Sequence, residues 1–216
     1  MRIEYKILTT LLFIVISSIK PIALLSANSN TEEELVASMD HCLELTDEAH
    51  ELFENAQYEA ALKKYTAAAA AHKTISIKYK QLIDEIMQKN EKHDWLHYYA
   101  ILKHHQGLCL ASIYMLQERN TLYIKKAIIF YEEAMEIDIS TKKHRSTAHI
   151  MCSLADAYMV SAQEGNAREK LTKAINIYKD ALMICTENHF TELFGLIKEN
   201  MSVAEENLQY FEALNN

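Results

Sequence analysis

Ten histidines and four cysteines stand among 216 residues, and both side chains can ligate metals or serve in catalysis. His93 and His97 are four apart, the spacing that presents two imidazoles to one ion from a single helix. His104 falls within about 40° of them on a helical wheel. It lies two turns beyond His97, however, too far to share an ion with it. Asp94 is a good helix-capping residue and predicts a helix starting at 95, which leaves His93 outside. No carboxylate or thiol completes a ligand set at a recognisable distance, so neither a metal nor another cofactor is expected. Covalent catalysis has no better basis. Cys152 and His149 are merely an i, i+3 pair, and no Gly-x-Ser-x-Gly elbow occurs. The carboxylate runs Glu32-Glu33-Glu34 and Glu132-Glu133 fall on outward faces of amphipathic helices. The chain is therefore expected not to be an enzyme.

The elements that carry these residues follow from composition. Three glycines and one proline replace the roughly 15 and 10 of an average chain of this length. Tight hairpins and phosphate-cradling loops need those residues, so sandwiches, barrels, dinucleotide-binding folds and P-loops are excluded. An apolar content of 50% is too high for disorder. An all-α protein remains. Its net charge of −8 argues against nucleic acid as a partner. Residues 1–27 read as a secretory signal: Arg2 and Lys6, an apolar run from Ile7 to Ile19, and the small-residue site Leu25-Ser26-Ala27. Cleavage would leave 28–216 as one helical domain, periplasmic or secreted. An uncleaved signal would be its sole membrane contact. Cys42, Cys109, Cys152 and Cys185 each fit a helical apolar pattern and are expected to be free core thiols. Cys109–Cys152 is the pairing expected if a bridge forms.

The body of the chain repeats. Ala61, Tyr65 and Ala68 recur as Ala127, Tyr131 and Ala134, and again as Ala174, Tyr178 and Ala181. Ahead of the last two blocks stand Leu110, Ala111, Tyr114 and Met115, matched by Leu154, Ala155, Tyr158 and Met159. His105 and His149 precede each leucine by the same interval. These spacings put the matched residues on one stripe of a helix. The small alanines admit a neighbouring helix, and the tyrosine fills the space between turns.

These residues resemble the tetratricopeptide repeat, whose first helix carries Leu-Gly/Ala and Tyr and whose second carries two alanines around an aromatic. The resemblance spans 40–211. It is complete in two repeats and weaker in the first, where Ala49, Leu52, Tyr58, Ala61, Tyr65 and Ala68 fit but Glu48 replaces the leucine. The connections are longer than the family's usual form, and the terminal proline is missing. The resemblance implies an α-solenoid of about three antiparallel helix pairs and a capping helix. The spans are about 31–54 (opened by a Thr31–Glu34 capping box), 57–89, 95–117, 121–138, 142–162, 167–186 and 189–213. The second would be a rod of about 50 Å, whose alanine-rich surface could pair two copies. Gly165 falls in a connection, while Gly107 and Gly195 fall inside first helices, where close packing would explain them.

The resemblance also implies a concave face, lined by first helices, that receives a protein or peptide. On this chain it holds Thr46, His50 and Phe53, then His105, Leu108, Ser112 and Met115, then His149, Cys152, Asp156 and Met159. The positions at which chaperone-adaptor members clamp a terminal carboxylate hold Thr46, His50, Cys109, His149 and Ser153, none with a fixed positive charge. The expected function is thus an exported scaffold binding a protein or peptide partner. The alternative is a histidine-rich periplasmic protein binding a metal or small ligand. Asn200-Met201-Ser202 would accept a glycan on a eukaryotic secretory route.

Overall fold

The computed structural model of the chain describes residues 30–89, 93–117, 120–141, 144–185 and 190–215. The signal segment 1–27 and the side chains of Thr31, His93 and Asp94 lie outside the described residues. Among the described residues eight α-helices form: α1 (Asn30–Glu54), α2 (Tyr58–Lys78), α3 (Lys80–Lys89), α4 (His93–Leu116), α5 (Thr121–Thr141), α6 (His144–Ser161), α7 (Ala167–Ile184) and α8 (Thr191–Asn215). No strand occurs among the described residues, and none of their helices is long and apolar enough to cross a membrane. Because α4 includes His93, that residue is inside the helix rather than before it.

Each helix packs on its neighbour in the chain. The pairs α1–α2, α4–α5 and α6–α7 are joined side by side through α2–α4 and α5–α6, with α8 against α7. The first helices also touch one another, α1 to α4, α4 to α6 and α6 to α8. The recurring sequence positions make these contacts. Ala61, Ala68, Ala127, Ala134, Ala174 and Ala181 are fully buried, with Tyr65, Tyr131 and Tyr178 beside them. An alanine interface lets helix axes approach closely, and each tyrosine ring fills the groove that results.

The expected rod 57–89 is bent. Tyr79 leaves helical geometry at φ −110° and ψ 14°, ending α2 and starting α3. Its N–H still bonds Ile75 at 3.0 Å and its carbonyl accepts from Ile83 at 2.9 Å, so the hydrogen-bond ladder survives the kink. Tyr79 and Ile83 join one core cluster with Leu35, Met39, Trp95 and Tyr98. Burial against α1 and α4 outweighs the small cost of leaving ideal helix geometry. The short connections are built locally. Ala56 takes a left-handed φ of 58° while the Gln57 N–H bonds the Leu52 carbonyl at 2.8 Å, closing α1. Asn120 Oδ1 accepts from the Leu122 N–H at 3.0 Å and caps α5. Gly165 sits at φ +113°, where a side chain would be strained, and Lys170 Nζ donates to the Ser161 carbonyl at 2.7 Å at the end of α6.

All four cysteines are free and buried, so the Cys109–Cys152 bridge does not occur. Cys109 lies 3.5 Å from Thr46 Oγ1 on α1, whereas Cys152 points to Asp156 on its own helix. Burial pushes the Cys42 thiol up to about 11 and Cys109 to about 12, which leaves both as thiols at neutral pH.

The two helical glycines differ. A Cβ on Gly107 would stand 2.5 Å from Tyr131 Cε1 and 2.7 Å from Cδ1, so α4 meets α5 through a position that admits no side chain. A Cβ on Gly195 would meet nothing within 4 Å, so close packing does not explain that glycine. Gly107→Ala is expected to cost about 1–3 kcal/mol by overpacking, whereas Gly195→Ala should be neutral or stabilise by up to about 1 kcal/mol through helix propensity. Urea denaturation of the two variants checks both signs.

Candidate functional site

The middle of the molecule holds a cleft between α4, α5 and α6. Leu108, Ser112 and Met115 enter from α4 at i, i+4 and i+7, and Ser153, Asp156, Ala157 and Val160 enter from α6, with Ile124 and Tyr131 from α5. The space is about 380 Å³ including its open mouth, but the part that water centres can occupy is about 20 Å³. That is room for about one or two waters. The walls are apolar apart from two serines, the tyrosine and Asp156.

Asp156 is fully enclosed. Tyr178 donates its hydroxyl to Oδ1, Asn200 Nδ2 donates to the same oxygen at 3.2 Å, and Cys152 Sγ lies 3.7 Å from Oδ2. Burial pushes its pKa up to about 8, against the three hydrogen bonds, so at neutral pH it is largely a neutral acid. Asn200 is itself buried, which places it out of reach of a glycosylating enzyme in the folded chain.

A second buried carboxylate behaves oppositely. Asp138, at the end of α5, takes His97 Nδ1 at 2.7 Å on Oδ1 and the hydroxyls of Ser146 and Thr147 at 2.7 Å each on Oδ2. These hydrogen bonds outweigh desolvation and hold it below the usual carboxylate range. The ionised carboxylate also sits beside the N-terminal turn of α6, where the helix dipole favours negative charge. His97, which the sequence offers as a metal ligand, is thus an anchor between α4 and α5. Among the described residues no group of three or more His, Cys, Asp or Glu side chains is placed to hold a metal ion.

No family model matches the chain, and no curated protein or solved structure is significantly similar to it.

Of the eleven residues that the repeat frame assigns to a binding face, Leu108, Ser112, Met115 and Asp156 meet in the cleft. Cys152 stands behind them on Asp156. Met159 is fully buried among Ala155, Leu171 and Tyr178. The others lie elsewhere. Thr46 Oγ1 donates to the Cys42 carbonyl at 2.9 Å. His50 is buried, its Nε2 3.0 Å from Glu54 Oε1 but out of line for a hydrogen bond. Phe53 is half-buried, edge-on to Tyr58 with centroids 5.4 Å apart. His105 is buried with neither nitrogen partnered, and His149 is half-buried. Eight of the eleven are thus enclosed, leaving Phe53, Met115 and His149 partly accessible.

The sequence frame missed Ala111, Ile124, Tyr131, Ser153, Ala157 and Val160 as cleft walls, although Ala111 and Tyr131 were visible as repeat positions. Asp138 lies four residues beyond Ala134 of the second block, and the repeat frame gives it no role.

The two buried acids make opposite predictions. Asp138→Asn removes a charged acceptor and should cost about 2–3 kcal/mol at pH 7, whereas Asp156→Asn, close in shape to the neutral acid, should cost under about 1 kcal/mol. Because the folded pKa of Asp138 is depressed, its contribution is present above the ordinary value of 3.8 and fades as pH falls below it. Chemical denaturation of both variants from pH 7 down to pH 3 checks the order and the fading.

Proposed function

We propose that the chain is an exported, tetratricopeptide-like α-solenoid of three helix pairs and a capping helix that binds a protein or peptide partner at the mouth of the α4–α6 cleft. The observation that carries this reading is the meeting of Leu108, Ser112 and Met115 from one first helix with Asp156 from the next. The neighbour-by-neighbour packing of the pairs and the burial of matching alanines and tyrosines support the repeat reading.

An apolar slot with room for few waters suits the side chain of a partner better than a polar metabolite. Met115 at its rim is partly exposed, and a thioether side chain adapts to varied apolar anchors. Phe53, on the first helix of the preceding pair, would extend the same face. Residues 1–27 would direct the chain out of the cytoplasm, and the partner would be met there.

Met115→Glu puts a charge at the cleft mouth without entering the core. Affinity capture of partners from extracts of the native host should fall at least tenfold with this variant and with Phe53→Glu. Helicity should be unchanged, and Ile129→Glu, on the exposed side of α5, should capture as wild type does. Equal capture by all three variants would contradict the assignment.

A further inference from the structure

Three histidines line the seams that α4 makes with α2 and α6. His72 on α2 and His104 and His105 on α4 are each buried. Neither ring nitrogen of His72 or of His105 has a hydrogen-bond partner, and His104 has Ser153 Oγ at 2.9 Å from Nε2. The rings of His104 and His105 are 5.8 Å apart, and Tyr131 lies 5.5 Å from His104.

The groups facing them cannot absorb a positive charge. Lys103 and His105 act on His72 from α4, and Lys103 is already held by Glu133 at 2.8 Å. His105 acts on His104 from its own helix and His149 from α6, while Ser153 and Tyr131 are neutral there. Asp156, beyond Ser153 and Tyr131 in the cleft, is protonated at acid pH. His97 and His50 differ in this respect, with Asp138 at 2.7 Å and Glu54 at 3.0 Å.

The C-terminal core is built otherwise. Neither α7 nor α8 contains a histidine, and α6 contributes His149, half-buried and held by burial at about 4. The enclosed acid of this core, Asp156, gains no charge on acidification.

We propose that the fold contains an acid-operated seam: protonation of His72, His104 and His105 parts α4 from α2 and α6 and opens the N-terminal pairs while α7 and α8 stay folded. Burial holds His72 at about 3 and His105 at about 4, both below the ordinary 6.5, and His104 is lowered in the same way. The open state takes up protons below pH 6.5 that the closed state refuses until about pH 3–4. The closed state is therefore fully favoured above 6.5 and loses its advantage as pH falls through that window. Each histidine contributes about tenfold per pH unit to the closed–open equilibrium, and three contribute up to about a thousandfold. Opening would bare Leu108 and Ser112, whatever binds the cleft.

Hydrogen exchange of the full chain at pH 7.0 and 4.5, corrected for intrinsic rates, tests the seam. Amides of α2 and α4 should lose at least a hundredfold in protection at the lower pH, while those of α7 and α8 hold theirs. The variant carrying His72→Leu, His104→Gln and His105→Leu should keep α2 and α4 protected at pH 4.5. Unchanged wild-type protection in α4, simultaneous loss in α7 and α8, or opening of the variant like wild type would each overturn the proposal. Should the triple variant fail to fold, His105→Leu alone must make the acid transition shallower by about one proton; equal steepness would overturn it.

Discussion

The pairing of α4 with α5, the centre of this protein, depends on one interlock, a tyrosine ring set where the facing helix has no side chain. Tyr131 on α5 occupies the space that a Cβ on Gly107 of α4 would claim. Tyr65 and Tyr178 stand at the matching places on α2 and α7, each between two fully buried alanines. Because the rings are large and the alanines small, helices can approach closely while the rings fill the space between them. The same shape explains the scarcity of glycine and proline. Long helices joined by local caps need positive φ at few places, and Gly165 supplies one of them.

Dense packing of this kind forces polar groups inside the layers to be resolved individually. Asp138 stays charged because three donors surround it, and it ties His97 of α4 and the first turn of α6 to the end of α5. Asp156, with donors from Tyr178 and Asn200, meets a site dry enough to favour the neutral acid. His72 and His105 find no partner and remain neutral through desolvation. The buried polar residues thus divide by protonation state: one anchor is charged, one acid is neutral, and the unpaired imidazoles give the N-terminal half its sensitivity to protons.

Much of the fold was legible in the sequence because the periodic signal is strong. The Ala-Tyr-Ala blocks predict helices that agree with α5 and α7 to within a few residues, and the stripe they define is the buried one. The kink at Tyr79 was not legible. The apolar stripe runs on through Ile83, and only packing against Leu35 and Trp95 gives that position its bent backbone. The site was legible in part. The repeat frame brings Leu108, Ser112, Met115 and Asp156 together, but cannot distinguish a residue at the mouth of a cleft from one sealed behind it. Met115 and Met159 hold equivalent repeat positions, yet Met115 is half-buried and Met159 has no exposure. Long-range polar pairing was hidden as well. His97 reads as half of a helical metal pair until α5 brings Asp138 to it across 41 residues.

The interlock is tested most directly by a double-mutant cycle between Gly107 and Tyr131, measured by urea denaturation at pH 7. Gly107→Ala should destabilise the wild-type chain by about 1–3 kcal/mol. In a Tyr131→Leu background, where the ring is gone, the same change should be neutral or stabilising, since alanine is the better helix former. An equal penalty in both backgrounds would show that the ring and the glycine do not meet, and would contradict the account.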